Sequence, residues 1–282
     1  MEDWTFEQLR AEHEEKVLGL QYTIGERERL KALIRLAGEI VNPENIFDVS
    51  RILKALIKTP SERFQDIFAF LLSGCKRNGF FVEFGACNGV AASNTLTLEK
   101  KFGWRGILAE PGAFWHDGLL GNRSARIDRR CVSAATGNRV RLYRSDRPEN
   151  SSLDETHPYL GNIVESYTVE TVSFMDLLEY HDAPRNIDFL SVDTEGHEKQ
   201  VLANFDFERY RFGFICVEQH GQLSAEDRVQ PILEAAGYKV ILPREIGRPV
   251  PMQITGIDEF FVPEDSWLFA VEGMEIALGI LS

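Results

Sequence analysis

The sequence predicts an α/β fold in which helices cover a mostly parallel sheet with an antiparallel last strand, preceded by a helical N-terminal segment. After Gly79, short apolar runs alternate with helical stretches, which is the pattern of βαβ units. The last two runs are joined by PREIGRPVPMQITG, which is too short and too rich in proline and glycine for a crossover helix. Residues 1–75 show helical periodicity and almost no strand signal.

The composition is typical of a folded globular protein. Hydrophobic residues make up 44% and charged residues 27% of the 282 residues, which excludes extensive disorder and a disulfide-stapled miniprotein. A net charge of −13 argues against a nucleic-acid partner. The four cysteines form no CxxC pair, so we expect reduced thiols. The acidic N-terminus and the lack of an apolar run of about 18 residues predict a cytoplasmic protein without a membrane span.

Four helices are predicted before the first strand. The first follows a capping box at Thr5 and Gln8, and the next two span 26–40 and 46–57. The fourth spans 60–72, because Thr59 can cap it, Pro60 suits its first turn and Glu62 sits at the capping-box position. We therefore divide the chain into a helical segment at 1–75, as substrate cover or dimer contact, and a sheet domain at 76–282.

Seven strands are predicted in the sheet domain from runs of four to eight residues bounded by glycine, proline or aspartate. They lie at 80–84, 106–109, 125–132, 187–192, 213–217, 239–242 and 258–262.

The turn after the first strand has the features of a nucleotide site. It reads EFGACNG at 83–89, and a helix is predicted to open at 93–95. Glycines at such a turn let a ligand approach the backbone, and the helix N-terminus offers unpaired N–H groups. Glu110, which ends the second strand, can accept hydrogen bonds from both ribose hydroxyls. The alternative is a tight connection without a ligand. Because Glu83 would repel a pyrophosphate, the turn favours S-adenosylmethionine over NAD.

Three stretches resemble the FkbM family of S-adenosylmethionine-dependent methyltransferases, over roughly 65–262: GFFVEFGACNGVAASNTLTLEKKFGWRGILAEPG, GNRS and IDFLSVDTEGHEKQVL. Cys87 departs from the family, whose members often carry Asn, Phe or Tyr there, and the helical front is not explained by it. The matching motifs are Gln65-Asp66, Ser93-Asn94-Thr95, Gly103-Trp104 and Asp193-x-Glu195-Gly196-x-Glu198.

The resemblance implies the Rossmann-like class I methyltransferase fold, with a seven-stranded sheet in the order 3-2-1-4-5-7-6. It also implies O-methylation, often of sugar or polyketide hydroxyls. In this sequence Glu110 would hold the ribose of the methyl donor, and Ser133 would lie near its adenine. The other residues that we expect to bind the donor are Glu83, Gly85, Ala86, Asn88, Gly89, Asn94 and Asp193.

Catalytic groups are expected where the fourth and fifth predicted strands end. Asp193 is the first candidate, to contact the donor's amine or orient the acceptor hydroxyl, and His197 is a candidate neutral base. Glu195 could be the base or a cap for the next helix, and His220 follows the fifth strand.

These strand ends could also bind a metal ion. Asp193, Glu195, Glu218 and His220 could supply oxygen and nitrogen ligands for magnesium or manganese. The alternative is hydrogen bonding among the same side chains without a metal.

Two further features concern the acceptor. The stretch 145–166 has few apolar residues and could form a lid or a passive loop. Of the nearby aromatic residues, Trp104 is expected in the core, whereas Phe114 and Trp115 could contact a ligand. A group of arginines could recognise a phosphorylated or acidic acceptor, or form a solvated face: Arg123, Arg126, Arg129, Arg130, Arg139, Arg141, Arg144 and Arg147.

The sequence therefore predicts a methyltransferase that uses S-adenosylmethionine to methylate a hydroxyl of a carbohydrate, polyol or natural product. One alternative is N-methylation of a small metabolite or peptide, although DTEG stands where amide and nucleobase N-methyltransferases carry an Asn/Asp-Pro-Pro-Tyr/Phe motif. The other alternative is a non-catalytic scaffold that retains the fold. An NAD dehydrogenase is the least favoured interpretation. The expected partner is a small molecule or glycan, with a homodimer as a further option.

Overall fold

The computed structural model describes residues 59–219, 228–242 and 257–271. The Thr5 capping box and the predicted helices at 26–40 and 46–57 lie outside these residues. The helices of the described residues are α1 (Gln65–Leu72), α2 (Leu96–Phe102), α3 (His116–Asn122), α4 (Phe174–Tyr180), α5 (Glu198–Leu202) and α6 (Gln230–Ala235).

The strands of the described residues form a main sheet and a smaller second sheet. They are β1 (Phe80–Phe84), β2 (Arg105–Ala109), β3 (Arg126–Asp128), β4 (Cys131–Ser133), β5 (Arg139–Ser145), β6 (Ile163–Ser173), β7 (Asn186–Val192), β8 (Arg211–Glu218), β9 (Tyr238–Ile241) and β10 (Asp258–Pro263).

The main sheet has seven strands in the order β3-β2-β1-β7-β8-β10-β9. Numbered within this sheet alone, the order is 3-2-1-4-5-7-6, which confirms the fold class predicted from the sequence. The pairs β3–β2, β2–β1, β1–β7 and β7–β8 are parallel. Strand β10 is antiparallel to both β8 and β9, which confirms the predicted antiparallel closure.

The single strand predicted at 125–132 is wrong, because the chain turns in the middle of it. Asp128 ends β3, and its carboxylate accepts hydrogen bonds from the backbone N–H and the guanidinium of Arg130. The chain then enters β4, which belongs to the second sheet, in the order β4-β6-β5. The sequence did not predict β5 and β6, because both strands are rich in polar residues and largely exposed on one face.

The helix predicted at 60–72 begins later, at Gln65. Thr59 does not cap it, because its hydroxyl donates a hydrogen bond to the carboxylate of Asp66 inside the first turn. The Gln65 amide donates to Asp258 Oδ2 at 2.9 Å, which ties α1 to β10. The segment before α1 is therefore held against the sheet by polar contacts rather than by a helical turn.

Two apolar layers cover the main sheet. On one face, Phe189, Phe214 and Phe260 project from adjacent strands with ring centroids 5.2 Å apart, and Phe68 of α1 packs on Phe260 at the same distance. The buried residues of the other face include Phe84, which packs on Phe174 of α4. Burying each phenylalanine contributes roughly 2–3 kcal/mol. Trp104 also lies in the core, as predicted.

No helix within the described residues is long and apolar enough to cross a membrane.

Replacing Asp66 with Asn tests the electrostatic cost of burying this carboxyl. Burial raises its pKa to about 6, although the hydroxyls of Thr59 and Thr97 and the N–H of Ile67 oppose the rise. Because the folded carboxyl binds its proton more tightly than the unfolded one, wild-type stability falls as pH rises from about 4 through about 6. We expect the stability of Asp66→Asn relative to wild type to grow by roughly 2–3 kcal/mol over this range.

Urea unfolding at several pH values measures this difference. Asp154→Asn is the control, because Asp154 is exposed and its pKa is lowered by the Thr156 hydroxyl. A difference between Asp66→Asn and wild type that does not change with pH would contradict the prediction.

Candidate active site

One cavity lies where the carboxyl ends of β1, β2, β7 and β8 meet, which is where parallel α/β sheets bind ligands. Its volume is about 370 Å³. The described residues that line it are 62, 83–85, 87, 91–94, 109–111, 115, 131, 132, 142, 148–151, 153, 193–195 and 218. The cavity therefore brings together the predicted donor turn, Glu110 and the two predicted catalytic strand ends.

Gly85 lines the cavity and has a positive φ of 74°. A Cβ at this position would overlap the carbonyl oxygen of Asp193, so only glycine lets the loop after β1 approach the loop after β7 so closely. Gly89 serves packing instead, because a Cβ there would lie 2.5 Å from Cγ of Arg123. Ala86, Asn88 and Gly89 do not line the cavity, and the Asn88 amide oxygen accepts hydrogen bonds from the N–H groups of Val90 and Ala91.

The carboxylate of Glu83 is held by the residues that precede α2. It accepts a hydrogen bond from the backbone N–H of Asn94 at 2.8 Å and one from the Thr95 hydroxyl. The Asn94 amide in turn donates to Ser191 Oγ at 3.0 Å. Glu83 lines the cavity, but its main contacts are within the protein, where they hold the start of α2 against β1 and β7.

Arg123 is the counterion of Glu83, and sequence reasoning missed this role. Its side chain is buried, with Nη1 3.6 Å from Glu83 Oε2 and Nε 3.0 Å from Glu99 Oε2. The run of arginines around it suggested a solvated face or an anion site, so nothing in the sequence singled it out. Its guanidinium also donates hydrogen bonds to the Gly89 carbonyl, Ser93 Oγ and Thr95 Oγ1.

Glu110 is buried directly after β2, and its two carboxylate oxygens have different backbone partners. Oε2 accepts the N–H of Cys87 at 2.9 Å, and Oε1 accepts the N–H of Gly112 at 2.6 Å. Burial raises the pKa of Glu110 to about 7, although these two N–H groups oppose the rise. Since a carboxylate oxygen has two lone pairs, each oxygen can accept one more hydrogen bond from a ligand.

Three carboxyls come together where β7 and β8 end. Single ligand oxygens of Asp193, Glu195 and Glu218 lie within 4.8 Å of one another. Burial, and next the negative charge of Glu218, raise the pKa of Asp193 well above its usual range. Burial likewise raises the pKa of Glu218 to about 8. The pair therefore retains a proton at neutral pH, and the site can exchange a proton with a ligand.

Glu195 and Glu198, which follow β7, make different contacts. Glu195 has a φ of 52°, which is unusual for a residue with a side chain, and it lines the cavity. Glu198, not Glu195, accepts the N–H groups of Thr194 and Gly196 before α5, each at 3.0 Å. The alternative that Glu195 caps this helix is therefore wrong.

The remaining predicted site residues either do not line the cavity or lie outside the described residues. His197 precedes α5 and does not line the cavity, and burial lowers its pKa. Ser133 does not line it either, because Cys131 and Val132 form that part of the wall. His220 lies outside the described residues.

The stretch 145–166 contributes directly to the cavity wall, through a 3₁₀ turn at Pro148–Asn150 and through Ser151 and Leu153. It contacts the loop after β7, since Ser152 Oγ donates to the Glu195 carbonyl at 2.7 Å. His157 Nδ1 lies 3.9 Å from Glu195 Oε2.

None of the arginines between 123 and 147 lines the cavity, as far as the described residues show. Arg130 pairs with Asp128 at 2.6 Å, and Arg144 lies over the Phe114 ring at 4.5 Å. Trp115 is among the lining residues, whereas Phe114 is not.

Comparison with known proteins gives one family. The model described as the methyltransferase FkbM domain matches residues 83–240. A comparison with curated protein sequences gives no significant match.

Several solved structures are similar at low sequence identity. Precorrin-6y C5,15-methyltransferase from Geobacter metallireducens GS-15 is 12% identical, with 70% of this chain and 85% of that chain covered and a TM-score of 0.35. A SAM-dependent methyltransferase from Aquifex aeolicus is 13% identical, with 76% and 95% covered and a TM-score of 0.32. The CurJ carbon methyltransferase is 13% identical, with 90% and 70% covered and a TM-score of 0.35.

Replacing Arg123 with Met tests whether this buried cation holds β1 and the start of α2 together. The change leaves the buried carboxylate of Glu83 without its counterion, which costs about 3–5 kcal/mol. Glu99 loses one cation but keeps its contact with Lys100. We expect urea unfolding to show a loss of this size. Arg129→Met is the matched control, because Arg129 is an exposed arginine of the same run and its loss should change stability by no more than about 0.5 kcal/mol.

The double variant Arg123→Met/Glu83→Gln should recover part of the loss, because it also removes one of the buried negative charges. Equal stabilities for Arg123→Met and Arg129→Met would contradict a central role for Arg123.

Proposed function

Because the chain belongs to the FkbM methyltransferase family, we propose that this S-adenosylmethionine-dependent methyltransferase acts on a hydroxyl of a carbohydrate, polyol or related natural product. The observation that carries the hydroxyl assignment is the buried carboxyl pair of Asp193 and Glu218 beside the cavity. An alcohol is a poor nucleophile until its proton is removed, and these carboxyls are placed to receive one.

Glu110 is the residue best suited to hold the donor. Its carboxylate is fixed by two backbone N–H groups, borders the cavity and retains lone pairs for the two ribose hydroxyls. Gly85 and Asn94 would lie along the donor's amino-acid end, and Cys131 and Val132, in place of Ser133, beside its adenine. When bound, S-adenosylmethionine supplies a methyl group on a positively charged sulfur. The buried acids complement that positive charge.

The protein would then orient the acceptor and take its proton. The acceptor oxygen forms a bond to the methyl carbon as the bond from that carbon to sulfur breaks, and the electron pair of the broken bond stays on sulfur. The hydroxyl proton passes to a carboxylate oxygen of the Asp193–Glu218 pair. Alignment of the two reacting atoms by the cavity walls lowers the entropic part of the barrier.

A divalent cation is a second candidate ligand of the carboxyls where β7 and β8 end. We propose that Asp193, Glu195 and Glu218 bind it, with His220 as a further residue. The three oxygens lie within 4.8 Å of one another and form the ligand set that magnesium and manganese prefer. Such a cation would lower the pKa of a bound hydroxyl. Calorimetric titration of EDTA-treated protein with each metal chloride tests this, and Glu218→Gln should abolish any heat of binding.

Replacing Glu110 with Gln tests the donor site. The amide presents one acceptor oxygen where the carboxylate presents two, so we expect the affinities for S-adenosylmethionine and S-adenosylhomocysteine to fall by about tenfold or more. Isothermal titration calorimetry measures both affinities. Glu155→Gln is the control, because Glu155 is exposed and outside the cavity lining. Wild-type affinity in Glu110→Gln would contradict the assignment, and no binding by the wild-type protein would overturn the donor site.

The pH dependence of methyl transfer tests the carboxyl pair. With EDTA present, the wild-type rate should rise as pH increases through about 8, because the carboxyl of Glu218 must lose its proton before it can accept another. Glu218→Gln should lower the rate by about 100-fold and remove this rise. Rates are measured with radiolabelled donor on matched panels of hydroxyl and amine acceptors. An unchanged pH profile in Glu218→Gln, or transfer to amines alone, would contradict the proposal.

A further inference from the structure

The cavity loop, residues 146–162, forms part of the cavity wall and is anchored on the second sheet. At its ends, the N–H of Asp146 donates to the carbonyl of Asn162 at 2.9 Å, and the Asn162 amide donates to Asp146 Oδ2 at 2.7 Å. In its middle, Ser152 exchanges two backbone hydrogen bonds with Tyr143 of β5. The loop therefore approaches the cavity as an extension of the second sheet.

Two side chains of the cavity loop contact Glu195, which follows β7. Ser152 Oγ donates to the Glu195 carbonyl at 2.7 Å, and His157 Nδ1 lies 3.9 Å from Glu195 Oε2, within ion-pair range for a protonated imidazole. The imidazole also packs on the next residue, because a Cβ at Gly196 would lie 3.1 Å from His157 Cδ2. The side chains of His157 and Glu195 are only 8% and 12% exposed. The cavity loop thus holds both the backbone and the carboxylate of Glu195.

His157 itself does not line the cavity, whereas Glu195 does. The backbone of Glu195 has a φ of 52°, a conformation that persists in a residue with a side chain only where the surroundings impose it. The contacts from Ser152 and His157 are part of those surroundings. We therefore expect any effect of His157 on a bound ligand to pass through the Glu195 carboxylate.

Glu195 lies on the side of the cavity where the sulfur of the donor is expected. In S-adenosylmethionine the sulfur joins the amino-acid end, proposed to lie along Gly85, to the ribose, proposed to be held by Glu110. Gly85 approaches the loop after β7 so closely that a Cβ there would overlap the carbonyl oxygen of Asp193. Glu195 follows Asp193 by two residues, and single carboxyl oxygens of Asp193, Glu195 and Glu218 lie within 4.8 Å of one another.

We propose that His157 is a positioning residue that holds the Glu195 carboxylate toward the positively charged sulfur of S-adenosylmethionine. This rests on the proposed methyltransferase function, and it gives the protein a reason to prefer the donor to the spent product. A carboxylate attracts the positive sulfur, whereas the sulfur of S-adenosylhomocysteine carries no charge. The attraction is therefore lost once the methyl group has been transferred, which favours release of the product.

The ratio of donor affinity to product affinity tests the inference. S-adenosylmethionine and S-adenosylhomocysteine differ by one methyl group and by the charge on sulfur, so the ratio isolates the electrostatic contribution. Isothermal titration calorimetry of the full chain, with EDTA present, measures both affinities. We expect the ratio to fall about fivefold in Glu195→Gln and about threefold or more in His157→Leu.

A double variant and a conservative variant separate positioning from a general loss of structure. Because His157 is proposed to act through Glu195, adding His157→Leu to Glu195→Gln should not lower the ratio further. His157→Asn is close to His157→Leu in size but keeps an N–H donor near the position of Nδ1. Its ratio should therefore stay within about twofold of the wild-type ratio.

His181→Leu is the matched control for the loss of an imidazole. His181 also contacts a buried carboxylate, with Nε2 3.0 Å from Asp128 Oδ2, and its side chain is similarly buried. Asp128, unlike Glu195, does not line the cavity. The ratio of the two affinities in His181→Leu should therefore keep its wild-type value.

Three results would overturn the inference: a ratio that His157→Leu or Glu195→Gln leaves unchanged, a further fall in the double variant, or an equal fall in His181→Leu and His157→Leu. Each of these would leave the proposed methyltransferase function intact, since the wild-type protein would still bind both ligands. Failure of the wild-type protein to bind either ligand would instead overturn the proposed function itself.

Discussion

The buried contact between Arg123 and Glu83 fixes the shape of the cavity. Arg123 follows α3, whereas Glu83 belongs to β1, so the ion pair connects two elements that are far apart in the chain. The same guanidinium holds Ser93 and Thr95 at the start of α2. An isolated buried charge is costly, so Arg123 and Glu83 each depend on the other to remain buried. The contacts of Arg123 therefore connect β1, the start of α2 and the chain after α3 beside the cavity.

Three residues of the cavity wall have a strained backbone conformation. Cys87, Ala92 and Glu195 all have positive φ angles although they carry side chains, and all three line the wall. Such conformations cost roughly 1–3 kcal/mol each and persist only where the surroundings impose them. Here the surroundings do so: Glu110 accepts the N–H of Cys87, and Ser152 donates to the carbonyl of Glu195.

The sequence was sufficient to predict the main sheet and much of the cavity. Buried strands are continuous apolar runs, and their carboxyl ends must meet at one edge, which brings Glu110, Asp193 and Glu218 together. Strands β5 and β6 escaped prediction because a half-exposed sheet lacks such runs. The sequence did not predict that Arg123 is a buried counterion, because burial depends on packing between elements that are distant in the chain. Other arginines of the same run are exposed. His197 and Ser133 do not line the cavity, because spacing along the chain does not determine which residues near a strand end face it.

The cavity also shows how one residue type performs several tasks in one site. A buried carboxylate beside a guanidinium connects neighbouring elements, as Glu83 does. One held by two backbone N–H groups keeps a fixed direction, as Glu110 does. Two carboxyls buried against each other retain a proton, as Asp193 and Glu218 do. Glu62 and Glu149 line the same cavity but are exposed to solvent. The surroundings of each glutamate and aspartate in this wall, rather than the residue type, therefore determine its contacts and its affinity for a proton.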